Sequence, residues 1–105
     1  QGGTREDVEF LRSMRDEPFR RFVFVATTPE PLGVWFQGPI LPYYTAREFV
    51  TYEAAVSLEP GDRVLLLRQA GVAEARAAIE ERSGMSLENE KCGPGLCAYD
   101  VRARR

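Results

Sequence analysis

Cys92 and Cys97 are the residues best suited to chemistry, and they flank the tetrapeptide Gly-Pro-Gly-Leu. A redox dithiol usually has two intervening residues and opens a helix, whose N-terminus lowers the thiol pKa. A zinc site needs two further ligands, and the sequence has no histidine and no third cysteine. The turn-forming glycines, expected at positive φ, predict instead a hairpin that brings the Cα atoms to the roughly 5–6 Å of a disulfide. Free thiols are the alternative.

A disulfide in this hairpin has two consequences. A loop this short stabilises the fold by roughly 2 kcal/mol on the chain-entropy estimate. The bond also implies an oxidising compartment, so we expect an extracytoplasmic location. With no histidine and no recognisable catalytic set, the sequence predicts no catalytic residue, no metal site and no cofactor.

An aromatic cluster between residues 35 and 52 is the candidate for ligand contact. Its members are Trp35, Phe36, Tyr43, Tyr44, Phe49 and Tyr52. Sugar rings stack on aromatic faces, and tyrosine hydroxyls and nearby charges bind sugar hydroxyls. Such residues also fill cores or lie at membrane boundaries, and both alternatives stay open. We take Trp35, Tyr43, Tyr44 and Arg47 as candidate substrate-binding residues.

A second pair of side chains, Glu59 and Asp62, resembles the paired carboxylates of an acid–base site. The intervening Pro60-Gly61 favours a different interpretation, because Glu-Pro-Gly-Asp is a common turn in which aspartate bonds the local backbone. We therefore expect a turn that leads into a strand.

Hydrophobic periodicity predicts the elements that position these residues. The order is α-β-α-β-β-α-β-β, over residues 4–17, 21–27, 31–37, 48–53, 63–68, 71–83, 85–91 and 96–102. Thr4 and Asp7 form a capping-box pattern at the first helix, and Gly84 suits the left-handed cap that ends the third. The last two strands flank the cysteine turn, and Cys97, Tyr99 and Val101 fall on one face.

Strands that alternate with helices predict an α/β fold, a three-layer sandwich with a mixed sheet. The first and third strands are the most apolar and should lie inside the sheet, with the C-terminal hairpin towards one edge. The 105 residues suit a single domain over 4–105, after a leader or tag remnant at 1–3. A net charge of −2 disfavours a nucleic-acid partner.

This succession resembles the soluble C-terminal domain that follows the transmembrane helices of bacterial GT-C glycosyltransferases, relatives of the dolichyl-phosphate-mannose–protein mannosyltransferases. The likeness covers about residues 5–103. It is carried by the strand 22–26, the loop Pro-Tyr-Tyr-Thr-Ala-Arg at 42–47, the strand 49–52, the turn and apolar strand 58–67, and the closing Tyr-Asp-Val-Arg at 99–102.

The resemblance implies a parent enzyme that transfers a sugar from a polyprenyl-phosphate donor at the outer face of the cytoplasmic membrane. The catalytic acid of that family lies in loops between membrane helices, which no position here matches. The chain would then be a non-catalytic domain that contacts a carbohydrate or protein acceptor beside the transmembrane domain. The alternative is a free-standing protein-interaction or ligand-sensing module; a thiol oxidoreductase is a weaker third hypothesis.

Overall fold

The computed structural model describes residues 5–25, 49–51, 57–68 and 71–104. Their helices and strands, in chain order, are α1 (Arg5–Arg12), β1 (Phe22–Val25), β2 (Phe49–Thr51), β3 (Arg63–Leu67), α2 (Val72–Ser83), β4 (Met85–Cys92) and β5 (Leu96–Ala103). Each corresponds to an element that the sequence predicts. The helix expected over 31–37 lies outside the described residues. Neither described helix has the length and apolar composition needed to span a membrane.

The first helix is shorter than the predicted 4–17. After Arg12 the amides of Met14, Arg15 and Glu17 donate to carbonyls three residues earlier, which tightens the chain into successive turns. The Ser13 hydroxyl also bonds the Phe10 carbonyl at 2.6 Å. The predicted helix was too long because the helical spacing of apolar residues continues to Met14, whereas the regular helical hydrogen bonds end before it.

The five described strands form one mixed sheet in the order β2-β1-β3-β5-β4. β1 runs parallel to β2 and to β3. β5 runs antiparallel to β3 and to β4, so the last two strands form a hairpin whose outer strand is an edge. The predictions of a mixed sheet, interior apolar strands and a hairpin towards one edge are confirmed.

The two faces of the sheet bury separate apolar clusters, one under each helix. On the α1 face the cluster comprises Val8, Leu11, Met14, Phe19, Phe22, Phe24, Leu65, Leu96 and Ala98. On the α2 face it comprises Val23, Val25, Leu58, Val64, Leu66, Ile79, Leu87, Cys97, Tyr99 and Val101. A helix on each face of one sheet makes the three layers that the sequence predicts.

The second described helix has glycine at both ends. Gly71 and Gly84 adopt φ of 90° and 71°, and the Gly84 amide donates to the Glu80 carbonyl at 3.0 Å. The predicted left-handed cap is therefore present. Ser83 then links the helix to β4, since its hydroxyl bonds the Ile79 carbonyl and accepts the Met85 amide.

The segment Glu59 to Asp62 is a turn, as the sequence predicts. The Asp62 amide donates to the Glu59 carbonyl at 3.0 Å, with Gly61 at φ 97°. The Asp62 carboxylate accepts the Glu59 amide at 3.0 Å and hydrogen bonds from Arg20 and Arg21. This buried carboxylate fixes the entry to β3.

Candidate functional site

The hairpin brings Cys92 and Cys97 together as a disulfide, with the sulfur atoms 2.08 Å apart. The residues face each other across the ladder, next to a hydrogen bond of 2.7 Å from the Gly93 amide to the Leu96 carbonyl. Their Cα atoms are 4.0 Å apart, closer than the predicted 5–6 Å. Cys92 and Cys97 form a non-hydrogen-bonded pair of the antiparallel ladder. The Cα atoms of such pairs lie closer together than those of hydrogen-bonded pairs.

The glycines of this turn serve a purpose other than the one predicted. Neither Gly93 nor Gly95 adopts a positive φ, so that expectation was wrong. A Cβ on Gly93 would lie 2.7 Å from Cγ of Phe10, and one on Gly95 would lie 2.7 Å from Oδ2 of Asp7. Glycine is required because α1 packs directly against the turn.

Polar contacts hold the turn from two sides. The Gly95 amide donates to Oδ1 of Asp7 at 2.8 Å, and that carboxylate is buried in α1. From the end of β3, Arg68 donates its amide to the Gly95 carbonyl and its guanidinium to the Gly93 carbonyl, each at 2.9 Å. Thr4, the partner of Asp7 in the expected capping box, lies outside the described residues. The cysteine turn is therefore anchored to both neighbouring elements.

One group of potential metal ligands occurs in the described part of the chain, at this hairpin. Ligand atoms of Glu90, Cys92 and Cys97 lie within 4.8 Å of one another. The two sulfur atoms are bonded to each other, so neither is a thiolate that could bind a metal. The group does not fit a metal centre in this state.

A cleft lined by both charged and apolar residues lies on the α1 face of the sheet, beyond the end of that helix. We call it the Arg63 cleft, and its volume is about 730 Å³. Its lining residues include Glu17, Phe19, Arg63, Asn89, Lys91 and Asp100. They come from the segment after α1, the first residue of β3 and the β4–β5 hairpin, which the sheet register brings together.

Arg63 organises the cleft. Its side chain is only 9 % exposed and lies over the Phe19 ring, with the guanidinium carbon 4.5 Å from the ring centroid. The guanidinium donates to Oε1 of Glu17 at 2.5 Å and twice to Oδ1 of Asp100, at 2.6 and 3.0 Å. Lys91 adds a bond to Oε2 of Glu17 at 3.1 Å. These groups form one connected network of alternating charges.

The network keeps both carboxyl groups ionised. The hydrogen bond from Arg63 is the largest cause that lowers the pKa of Glu17, with burial opposing it and Lys91 adding to it. Burial raises the pKa of Asp100, but hydrogen bonds from Asn89 and Arg63 outweigh it and leave that pKa below its ordinary value. A general acid must hold its proton near neutral pH, so neither group suits that role.

An irregularity in β4 directs Asn89 into the cleft. The pairing register shifts between Glu88 and Lys91, which marks a β-bulge, and Asn89 adopts φ 57° there. Its amide donates to Oδ2 of Asp100 at 2.9 Å. Bulges re-aim side chains, and asparagine tolerates this backbone region better than most residues. The interrupted alternation of Glu-Asn-Glu-Lys at 88–91 was the sequence signal for it.

On the opposite face, Tyr99 is buried between β4 and α2. Its hydroxyl donates to Oε2 of Glu90 at 2.5 Å, and the Arg76 guanidinium carbon lies 5.1 Å from its ring centroid. Burial, together with Glu90, raises the pKa of Tyr99 to about 12. The hydroxyl therefore stays protonated and acts as a structural donor.

The four substrate-binding candidates, Trp35, Tyr43, Tyr44 and Arg47, lie outside the described residues. They belong to the connection between β1, which ends at Val25, and β2, which begins at Phe49. The Arg63 cleft was missed because its residues appear in the sequence as separate strand, turn and surface positions.

Comparison of the chain with protein-family models, with curated proteins and with solved structures gave no match. The fold and the two sites define a small three-layer α/β domain with a disulfide-closed hairpin.

Proposed function

We propose that the chain is a non-catalytic, extracytoplasmic domain of a membrane glycosyltransferase that uses a polyprenyl-phosphate sugar donor. The observation that carries the proposal is the Cys92–Cys97 disulfide, because such bonds persist in oxidising compartments. The mixed α/β sheet with its C-terminal hairpin agrees with the succession on which the resemblance rests.

The domain would assist acceptor binding or positioning through Trp35, Tyr43, Tyr44 and Arg47. This assignment is supported by where their segment starts, at the carboxyl end of the parallel strand β1. Ligands of open α/β sheets commonly bind beyond the carboxyl ends of parallel strands. The paired, ionised carboxylates of the Arg63 cleft also suit binding better than proton transfer.

The proposal is tested on the natural gene product in its own cells. We expect the protein to fractionate with the membrane, and Cys92 and Cys97 to resist a maleimide until a membrane-impermeant reductant is added. Membranes carrying Tyr43→Ala or Arg47→Ala should lose transfer to the acceptor while retaining donor binding. A Glu81→Gln variant on the exposed part of α2 serves as the matched control.

The same experiment separates this function from the alternative of a free-standing interaction or sensing module. The proposal is contradicted if the gene product does not fractionate with the membrane and its cysteine thiols react with the maleimide before reduction. That result would favour the alternative. Membrane attachment with normal transfer in the variants would retain the location and reject the acceptor-binding role.

A further inference from the structure

The Arg63 cleft has the size of a small-molecule site. Its volume of about 730 Å³ falls within the range of roughly 300–1,000 Å³ that is typical of ligand pockets. Three separate parts of the chain supply its walls, and the packing of β3, β4 and β5 fixes their relative positions. The site is therefore built on strands, with Arg63 and Asp100 facing each other across the β3–β5 ladder.

The pairing of Arg63 and Lys91 with carboxylates in the cleft disfavours a strongly charged ligand. Arg63 is bound by Glu17 and Asp100, and Lys91 is bound by Glu17. An anion in the cleft would lie beside the carboxylates of Glu17 and Asp100, and a cation would lie beside Arg63 and Lys91. Either ion therefore meets repulsion from a neighbouring like charge as well as attraction from the opposite one.

Hydrogen-bonding capacity nevertheless remains, with donors beside acceptors. Arg63 uses three of its five N–H groups in the network, and the Lys91 ammonium uses one of its three. Asp100 accepts three hydrogen bonds from Arg63 and Asn89, one fewer than its two oxygens allow. A hydroxyl group donates and accepts at once, so neighbouring hydroxyls match this set.

We infer that the Arg63 cleft binds a neutral, hydroxyl-rich small molecule, and that a short saccharide is its ligand class. Arg63, Asn89 and Lys91 donate to the ligand hydroxyls, and Asp100 accepts from them. This site lies apart from the candidate segment at 35–47 in the sequence. Saccharide binding depends on the cleft alone, whether the domain is attached to a membrane enzyme or free-standing.

The inference is tested by amide NMR titration of the chain with four neutral probes: maltose, cellobiose, mannobiose and chitobiose. Glucose 6-phosphate is the charged comparator. We expect at least one neutral probe to give saturable shifts centred on residues 89, 91 and 100. Asn89→Gly keeps the positive φ and removes the carboxamide, and Lys91→Met removes the ammonium. Each should weaken binding by between about twofold and tenfold, the effect of one hydrogen bond.

Glu81→Gln on α2 is the control and should bind as the wild type does. Thermal unfolding of each variant shows that it is folded before its affinity is compared. The inference is overturned if none of the four probes gives saturable shifts in the cleft, if glucose 6-phosphate binds there more tightly than all of them, or if both cleft variants bind normally. None of these outcomes alters membrane attachment or cysteine oxidation, so the proposed function stands or fails separately.

Discussion

Single residues in this chain derive their roles from contacts across large sequence separations. Gly95 meets Asp7 of α1, and Arg63 meets Asp100 of β5. Among the described residues, every buried side-chain nitrogen and oxygen has a hydrogen-bond partner. A buried polar group that loses its hydrogen-bond partner destabilises the folded state. Substitutions at these contacts should therefore lower the free energy of unfolding more than the local backbone conformation alone would indicate.

The contact between Gly95 and Asp7 gives a prediction at this scale. Gly95→Ala should lower the free energy of unfolding by about 1–3 kcal/mol, because the new methyl group would overlap a buried carboxylate. Chemical denaturation measures the loss. In an Asp7→Ala background the same substitution should cost less, since the obstructing oxygens are gone. An equal cost in both backgrounds would show that the overlap is not the cause.

At the scale of elements, local patterns predict which segments form strands, but not which side chains meet. The apolar run at 63–67 and the turn glycines predict β3 and the hairpin directly. The Arg63 cleft depends on the register of β3 against β5 and on the bulge at Asn89. Register depends on pairing between strands distant in sequence, and no single segment encodes that pairing.

The hairpin gives a prediction about the disulfide. Replacing both Cys92 and Cys97 with alanine should lower the free energy of unfolding by roughly 2 kcal/mol, since the bond constrains a short loop of the unfolded chain. The fold should persist, because α1 and Arg68 still hold the turn. Denaturant titration with and without reductant measures this, and only the wild type should respond to reductant. A double variant as stable as the oxidised wild type would show that the disulfide does not stabilise the fold.

At the scale of the whole molecule, the two faces of the sheet differ in their polar chemistry. The α1 face carries the ionised carboxyl groups of Glu17 and Asp100, both with lowered pKa values. The α2 face carries the protonated hydroxyl of Tyr99, whose pKa is raised. We therefore expect acid to lower the stability of the domain through the α1 face, and alkali to lower it through the α2 face.

This division predicts the pH dependence of stability. The stabilisation from Glu17 and Asp100 is present above their unfolded pKa values, near 4.5 and 3.8, and is lost as the pH falls through the lower folded values. That from Tyr99 is present below pH 10.0 and is lost as the pH rises towards about 12.

Denaturation across this pH range should show stability falling at both ends. Glu17→Gln with Asp100→Asn should reduce the acid-side fall, and Tyr99→Phe should reduce the alkaline one, each leaving the opposite end unchanged. The two ends respond separately because the groups lie on opposite faces, in separate hydrogen-bond networks. Glu81→Gln is the control for both. If the Tyr99 variant changed the acid side as much as the alkaline side, the two networks would be coupled through the sheet.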